Sequence, residues 1–302
     1  MVQHFFTVDV EEYFQVSGLE PWIPRQHWSS LESRVDRSMG ELLELLDRHR
    51  TKGTFFILGW LAQRKPGLVR TIAAEGHEIA SHGWEHRKVF DLTPDRFRGS
   101  VRRTKQLLED VSGLPVRGYR APSFSILQGM EWALDILIEE GYRYDSSLYP
   151  IRRPGYGFAG GARDPHWLFR PGGTLLELPP ATLKFSGVSL PAGGGGYFRV
   201  FPFPLIRHAM NQAQRRGVSA TFYIHPWELD PKQPRFPVSW MAQVRQYGGL
   251  TRTSSRLERL LREFRFQPVE SFLPVVTPLT LQRKARLRRR PHVAVRSAPL
   301  QS

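Results

Sequence analysis

Residues 53–83 read GTFFILGWLAQRKPGLVRTIAAEGHEIASHG. The run GTFFILG is short, apolar and rich in aromatic and branched side chains, as a buried strand requires. PGLVRTIAAEG carries Pro66 near its start and Gly76 at its end, the residues that open and close a helix. HEIASHG then returns to a strand. The same alternation extends in both directions. Upstream lie a strand, HFFTVDV, and a helix, SMGELLELLDRHR, with Ser38 as its N-cap and basic residues in the last turn. Downstream, TPDRFRGSVRRTKQLLEDVSG is a long amphipathic helix opened by Thr93-Pro94 and closed by Gly113. VRGYRAPSF is a strand, MEWALDILIEEGY a helix capped by Gly141, and YRYDSSL a strand end. Regular alternation of this kind predicts an α/β fold with a parallel sheet or barrel, not a sandwich. The pattern loosens between about residues 149 and 200 and resumes with PLIRHAMNQAQRRG (helix) and SATFYIHPWELD (strand and loop). A last helix, TSSRLERLLREF, precedes RFQPVESFL.

The chain has 302 residues, enough for one large α/β domain or two ordinary ones. It contains no cysteine, which excludes disulfides and thiolate metal sites. Any metal must be held by imidazole and carboxylate. The formal charge is +15, and seven of those charges are Arg283, Lys284, Arg286, Arg288, Arg289, Arg290 and Arg296, in a stretch without acids. Residues 276–302 are therefore expected to be a disordered basic tail, with contact to an anionic membrane as its alternative use. Residues 1–275 are expected to form one domain. No nucleic-acid role is expected, because no base-reading motif accompanies the charge. No secretory signal or transmembrane run is visible, so the expected location is the cytoplasm, with the inner membrane face as a variant.

Reactive groups in parallel α/β folds gather at the carboxyl ends of strands. Polar outliers stand at those positions: Asp9 and Glu11, His82 and His86, Arg120, Asp145 and His225. Asp9 and Glu11 are two apart and share one face of an extended strand, with Val10 pointing into packing. Two buried carboxylates need a cation or a proton. The plainer alternative makes Asp9 a helix cap and both glutamates surface residues. His82 and His86 can converge on one ion, which would need a carboxylate to complete it; taken alone, they also fit two surface residues. Arg120, before Pro122, suits an orienter of a base aspartate or an ordinary surface arginine. His225, held by Pro226 at a strand end, suits a general acid or a core histidine.

Taken together, the acid pair, HxxxH, RxPxF, late strand-end aspartate and final histidine resemble the polysaccharide deacetylase family, the nodulation-protein-B homology domain. The resemblance runs from about Phe5 to His225, with extension to Leu273. TVDVEEYFQV and LPAGGGGYFRVFP look like the subgroup found in exopolysaccharide loci and associated with exosortase-type protein sorting. The resemblance implies a distorted (β/α) barrel with about seven parallel strands. It implies Asp9 as catalytic base and Glu11, His82 and His86 as ligands of a divalent metal, zinc first, with cobalt, nickel or manganese as alternatives. Arg120 would orient Asp9, and Asp145 would tune His225, the general acid. Tyr119, Pro122, Phe124, Trp84 and Trp227 would contact the substrate, and the backbone N–H of Tyr119 or Ser123 an oxyanion.

The implied reaction removes N-acetyl groups from N-acetylhexosamine units of a polysaccharide or lipid-linked glycan. An allantoinase-like amidohydrolase and a catalytically inactive glycan-binding module are the alternatives. Two departures stand out. The family's usual TFDD is replaced by Thr7-Val8-Asp9-Val10-Glu11, which leaves Glu11 or Glu12 as the carboxylate ligand. Gly83 replaces the Ser or Thr that follows the first histidine. The segment KFSGVSLPAGGGGYFRVF reads as a glycine-hinged lid or as a plain connector.

Overall fold

The computed structural model describes residues 2–153 and 155–273. The expected basic tail, 276–302, lies outside them. The strands are β1 (His4–Val10), β2 (Thr54–Ile57), β3 (Glu78–Ser81), β4 (Gly118–Tyr119), β5 (Tyr144–Asp145), β6 (His166–Arg170), β7 (Gly173–Glu177), β8 (Thr182–Phe185), β9 (Val188–Pro191), β10 (Thr221–Ile224) and β11 (Phe266–Gln267). The helices are α1 (Val35–Arg48), α2 (Gly59–Arg64), α3 (Pro66–Ala74), α4 (Pro94–Ser112), α5 (Trp132–Glu139), α6 (Gly195–Val200), α7 (Phe203–Arg215), α8 (Trp240–Tyr247) and α9 (Thr253–Glu263).

The sheet runs β10-β1-β2-β3-β4-β5-β7-β6, and β11 also pairs with β1. Every neighbouring pair is parallel except β6 with β7. Seven parallel strands thus lie on the main path, as the resemblance implies. The sheet curls until its ends approach, and Ala181 N–H donates to Thr221 O at 2.9 Å across the gap.

Strand parity sorts the side chains. On β1, Phe6, Val8 and Val10 pack with the helices, against Met39, Leu42, Leu46 and Ile72. Phe5 turns the other way, into an interior cluster with Phe56, Ala80, Tyr144 and Leu176. A strand covered on both faces is apolar at nearly every position, so Thr7 and Asp9, two and four residues after Phe5, are polar intrusions into the barrel interior. All seven residues of β1 are buried.

Two local expectations are corrected. Helix α1 begins at Val35, so Ser38 lies inside it and its hydroxyl donates to Arg34 O at 3.3 Å. The first turn is capped from a distance by Glu12, whose carboxylate accepts from Ser33 Oγ at 2.5 Å and Arg34 N at 3.1 Å. Three of the four glycines, 193–195, are packed rather than hinged: a Cβ on Gly194, at φ 145°, would stand 1.7 Å from Tyr223 O. The backbone of this segment lies against β10, where no side chain fits.

Candidate active site

Four strand ends deliver the site. From β1, Asp9 sits in the interior with one carboxylate oxygen on Arg120 Nη1, at 2.6 Å. Arg120 follows β4 and has no exposed surface. Its guanidinium also donates to Thr7 Oγ1 at 2.9 Å and Ser146 Oγ at 2.9 Å, and lies 4.2 Å from the Phe56 ring centre. Thr7 Oγ1 in turn donates to Phe222 O. A buried ion pair is tolerated only when its remaining donors are satisfied, and here two hydroxyls satisfy them. The second Asp9 oxygen faces His225 Nε2 at 3.8 Å.

The loop after β3 carries both imidazoles. Gly83 and His86 take left-handed backbone angles, φ 74° and 52°, that fold residues 82–86 into a tight turn. Gly59 and Trp60 at the start of α2 donate to Gly83 O and Trp84 O, and Ser100 Oγ accepts from Trp84 N. His82 Nδ1 donates to Arg120 O at 2.8 Å, which leaves Nε2 with its lone pair. Burial lowers His82 to about 4, so the ring is neutral near pH 7. His86 Nε2 lies 2.9 Å from Glu11 Oε2.

One donor atom each from Glu11, His82 and His86 lies within 4.8 Å of the others. Two imidazoles and a carboxylate form the ligand set of catalytic zinc sites. Glu11 Oε2 has no hydrogen-bond partner although it is buried, and it points toward an imidazole nitrogen, an arrangement that a cation satisfies. Burial alone would raise Glu11, but His86 and His225 outweigh it and bring the carboxyl down to about 2. Its other oxygen accepts from Trp227 Nε1 at 3.0 Å. The residues therefore fit a divalent metal, and the carboxylate beside the two imidazoles is that of Glu11, whereas Glu12 is committed to the cap of α1.

His225 directly follows β10, and its side chain is 18% exposed, whereas Asp9, Glu11 and Arg120 are almost wholly covered. Its Nδ1 meets Glu228 Oε1 at 2.7 Å, and Arg199 Nε donates to Glu228 Oε2 at 2.5 Å. Arg199 also donates to the carbonyls of Arg245, Gln246 and Gly248. Burial works to lower His225, but Glu11, Glu228 and Asp9 raise it to about 9. A raised imidazole of this kind suits a proton donor. Glu228 and Arg199 were missed from sequence. Glu228 carries a local signal: His225-Pro226-Trp227-Glu228 opens a 3-10 turn, with proline first and glutamate third. Arg199 carries none.

Asp145 does not tune His225, and that expectation is corrected. Tyr144 points into the interior, so the next residue, Asp145, points outward toward the helices, as does Glu177 beside it on β7. Asp145 accepts from Ser147 Oγ at 2.5 Å, and Glu177 from Leu148 N at 3.0 Å. Burial raises Asp145 to about 6 from 3.8, and burial together with the neighbouring Asp145 carboxyl raises Glu177 well above its ordinary value. With its folded value above the unfolded one, the Asp145 contribution to stability is complete below about pH 3.8 and is lost as pH rises through about 6, and Glu177 shifts in the same direction. Glu177→Gln removes one of the two charges. Urea midpoints should show the variant gaining on wild type at pH 8 relative to pH 5; an equal difference at both would contradict the pairing.

The expected substrate contacts divide. Trp227 stacks on His225, ring centres 5.1 Å apart, and its Nε1 donates to Glu11, so it packs against two of the site residues at once. Phe124 packs on Tyr149 and Tyr223 beside Arg120, and Pro122 is buried. Trp84 and Tyr119 do not face the site: Tyr119 packs against Phe97 and Tyr142, and Trp84 lies over Gly59 and beneath Arg103. Ser123 takes φ 55° and ψ 25°, with its hydroxyl on Ser17, which also reaches His86 Nδ1 at 3.4 Å.

Residues 34–143 match the family model described as polysaccharide deacetylase. The chain carries a polysaccharide deacetylase domain. Residues 146–274 match a domain of unknown function, DUF3473. The deacetylase match holds His82, His86 and Arg120; His225, Glu228 and Arg199 lie in the second match; Asp9 and Glu11 precede both. A peptidoglycan-N-acetylglucosamine deacetylase of Bacillus cereus is 32% identical over 96 residues, 32% of this chain and 35% of that protein. A chitooligosaccharide deacetylase of Rhizobium leguminosarum bv. trifolii is 29% identical over 110 residues, 32% of this chain and 50% of that protein. The alignment thus spans half or less of these relatives' length. Among solved structures, a candidate polysaccharide deacetylase from Mycobacterium smegmatis superposes with a TM-score of 0.59 at 21% identity, covering 99% of this chain and 96% of that one. One from Pseudomonas aeruginosa gives 0.58 at 16% identity, covering 89% and 88%. These likenesses establish the shared barrel of the deacetylase domain.

Proposed function

We propose that this protein is a metal-dependent hydrolase that removes N-acetyl groups from an N-acetylated glycan. The observation that carries this reading is the placing of Asp9. One of its oxygens is held by Arg120, the other faces the raised imidazole of His225, and the Glu11–His82–His86 cluster lies alongside. A base and an acid flanking a candidate metal cluster is what amide hydrolysis needs. Proteins similar to this chain bear the names of peptidoglycan and chitooligosaccharide deacetylases.

Glu11, His82 and His86 would hold the metal, which we assign as zinc from its two imidazoles and one carboxylate. When bound, such a cation acidifies water and polarises a carbonyl. Asp9 accepts the proton of the attacking water while Arg120 fixes the carboxylate's direction. Oxygen adds to the acetyl carbon, giving a tetrahedral oxyanion for which we propose the backbone N–H of Ser123 as a donor. His225 then delivers its proton to the sugar nitrogen as the C–N bond breaks, releasing acetate and a free amine. Glu228 keeps His225 turned toward that nitrogen.

Acetate release from N-acetylglucosamine oligomers, measured on zinc-loaded protein, tests the reaction; silence across N-acetylated glycans combined with tight glycan binding would favour a binding module. The TVDVEEYFQV and LPAGGGGYFRVFP stretches support an exopolysaccharide over peptidoglycan, and relative release rates from the two polymers decide between them. For the ligand set, His82→Ala should lower zinc content and turnover together. Full zinc occupancy in that variant would show that the ligands are wrong.

A further inference from the structure

We propose a second ligand site, for a phosphoryl oxyanion, in the cavity behind the loop that carries His82 and His86. The cavity measures about 440 Å³ and lies between residues 83–87 and the first turns of α4. That volume falls within the range of small-molecule sites. It opens on the helix side of the sheet, the face to which Tyr119 points, away from Asp9.

Its lining is cationic. Arg87, Arg96 and Arg103 border it, and Glu85 is the single carboxylate among the residues that line it. Glu85 is engaged by Arg87. Among the described residues, Arg96 and Arg103 make no ion pair. Arg103 instead lies flat on Trp84, 3.4 Å from the ring centre, which fixes its plane and leaves its edge N–H groups free. A planar guanidinium held by an aromatic face is pre-set to grip an oxyanion with two parallel hydrogen bonds.

The second observation is a hydroxyl. Tyr119 is 1% exposed, yet its OH makes no hydrogen bond among the described residues and lines this cavity. A Cβ placed on Gly83 would stand 3.8 Å from that OH, so the hydroxyl lies directly behind the turn. The ring is covered and the hydroxyl meets the cavity, so it is a donor held in place with no protein acceptor. An acceptor in the cavity would take that proton in place of solvent. Ser100 Oγ accepts from Trp84 N and keeps its own proton available for the same acceptor. Two hydroxyl donors and two unpaired guanidiniums around one space select a multivalent oxyanion. Phosphoryl groups match best, because their several oxygens can take both kinds of donor at once.

The site needs no part of the deacetylase assignment, and its test reads binding alone. Pyrophosphate, inorganic phosphate and citrate would be titrated calorimetrically into full-length, metal-loaded protein freed of excess metal. Pyrophosphate is expected to bind one-to-one and more tightly than citrate. The Arg96→Gln, Arg103→Gln double variant should weaken it by roughly ten-fold or more, and Tyr119→Phe by several-fold. Circular dichroism should confirm that both variants are folded. Replacing Arg288, Arg289 and Arg290 by glutamine, which removes charge elsewhere in the chain, should leave the affinity unchanged. The proposal is overturned if wild type fails to bind pyrophosphate, or if the cavity double variant keeps wild-type affinity. Loss of binding in the 288–290 variant overturns it too, and equal affinity for citrate overturns the phosphoryl assignment.

Discussion

Asp9→Asn should reduce acetate release by roughly 10²- to 10⁴-fold, the contribution of a positioned base, while leaving zinc content at the wild-type level. The amide cannot take a proton from water. Its oxygen still accepts from Arg120, and Arg120 keeps Thr7 and Ser146. The guanidinium nevertheless loses its counter-charge where no water reaches it. Breaking a buried pair outright costs about 3–5 kcal/mol, so a smaller loss of stability should accompany the loss of rate. A thermal melt separates the two effects. Turnover within ten-fold of wild type would place the base elsewhere; loss of zinc with the activity would mean that Asp9 is itself a ligand.

Glu228→Gln should be nearly as damaging, for a different reason. Glu228 is the carboxylate on His225 Nδ1, and it is also the counter-charge of Arg199, itself almost completely buried. Removing the charge strands Arg199 among three carbonyls and lets His225 turn. The expected result is a fall in kcat of roughly 10²- to 10⁴-fold with little change in KM. Because Glu228 helps to raise His225 to about 9, the alkaline limb of the rate profile should also move to lower pH in whatever activity remains. Asp145→Asn is the control. Its bonds run to Ser147 and its neighbour is Glu177, so the limb should stay where it is. If Asp145→Asn moves the limb and Glu228→Gln does not, the assignment of partners is reversed.

The barrel was readable because its strands are apolar on both faces and its helices carry their own stops, Gly76, Gly113 and Gly141 among them. Asp9, Glu11, His82, His86, Arg120 and His225 were readable because each breaks an apolar run at a strand end. The partner of His225 was not. β5 is two residues long, too short for alternation to reveal that Tyr144 turns inward and Asp145 outward. Arg199 lies beyond the glycine run, where no period marks which side chains are buried, and its role appears only once α6 is packed beside the loop after α8. The glycines themselves read equally as hinge or connector. Their use as a close contact with β10 depends on a neighbour distant in sequence.

That distance has a kinetic consequence. Trp227 bonds Glu11 across a sequence separation of 216 residues, and β1 pairs directly with β10. Closing so large a loop is entropically costly and belongs late in folding. The candidate metal ligands Glu11, His82 and His86, with Arg120, all lie within the first 120 residues, whereas His225, the proposed proton donor, arrives only with β10. On the proposed function, a refolding chain is expected to hold a metal before it recovers hydrolysis. Recovered activity, followed in time, is a clock for barrel closure rather than for collapse.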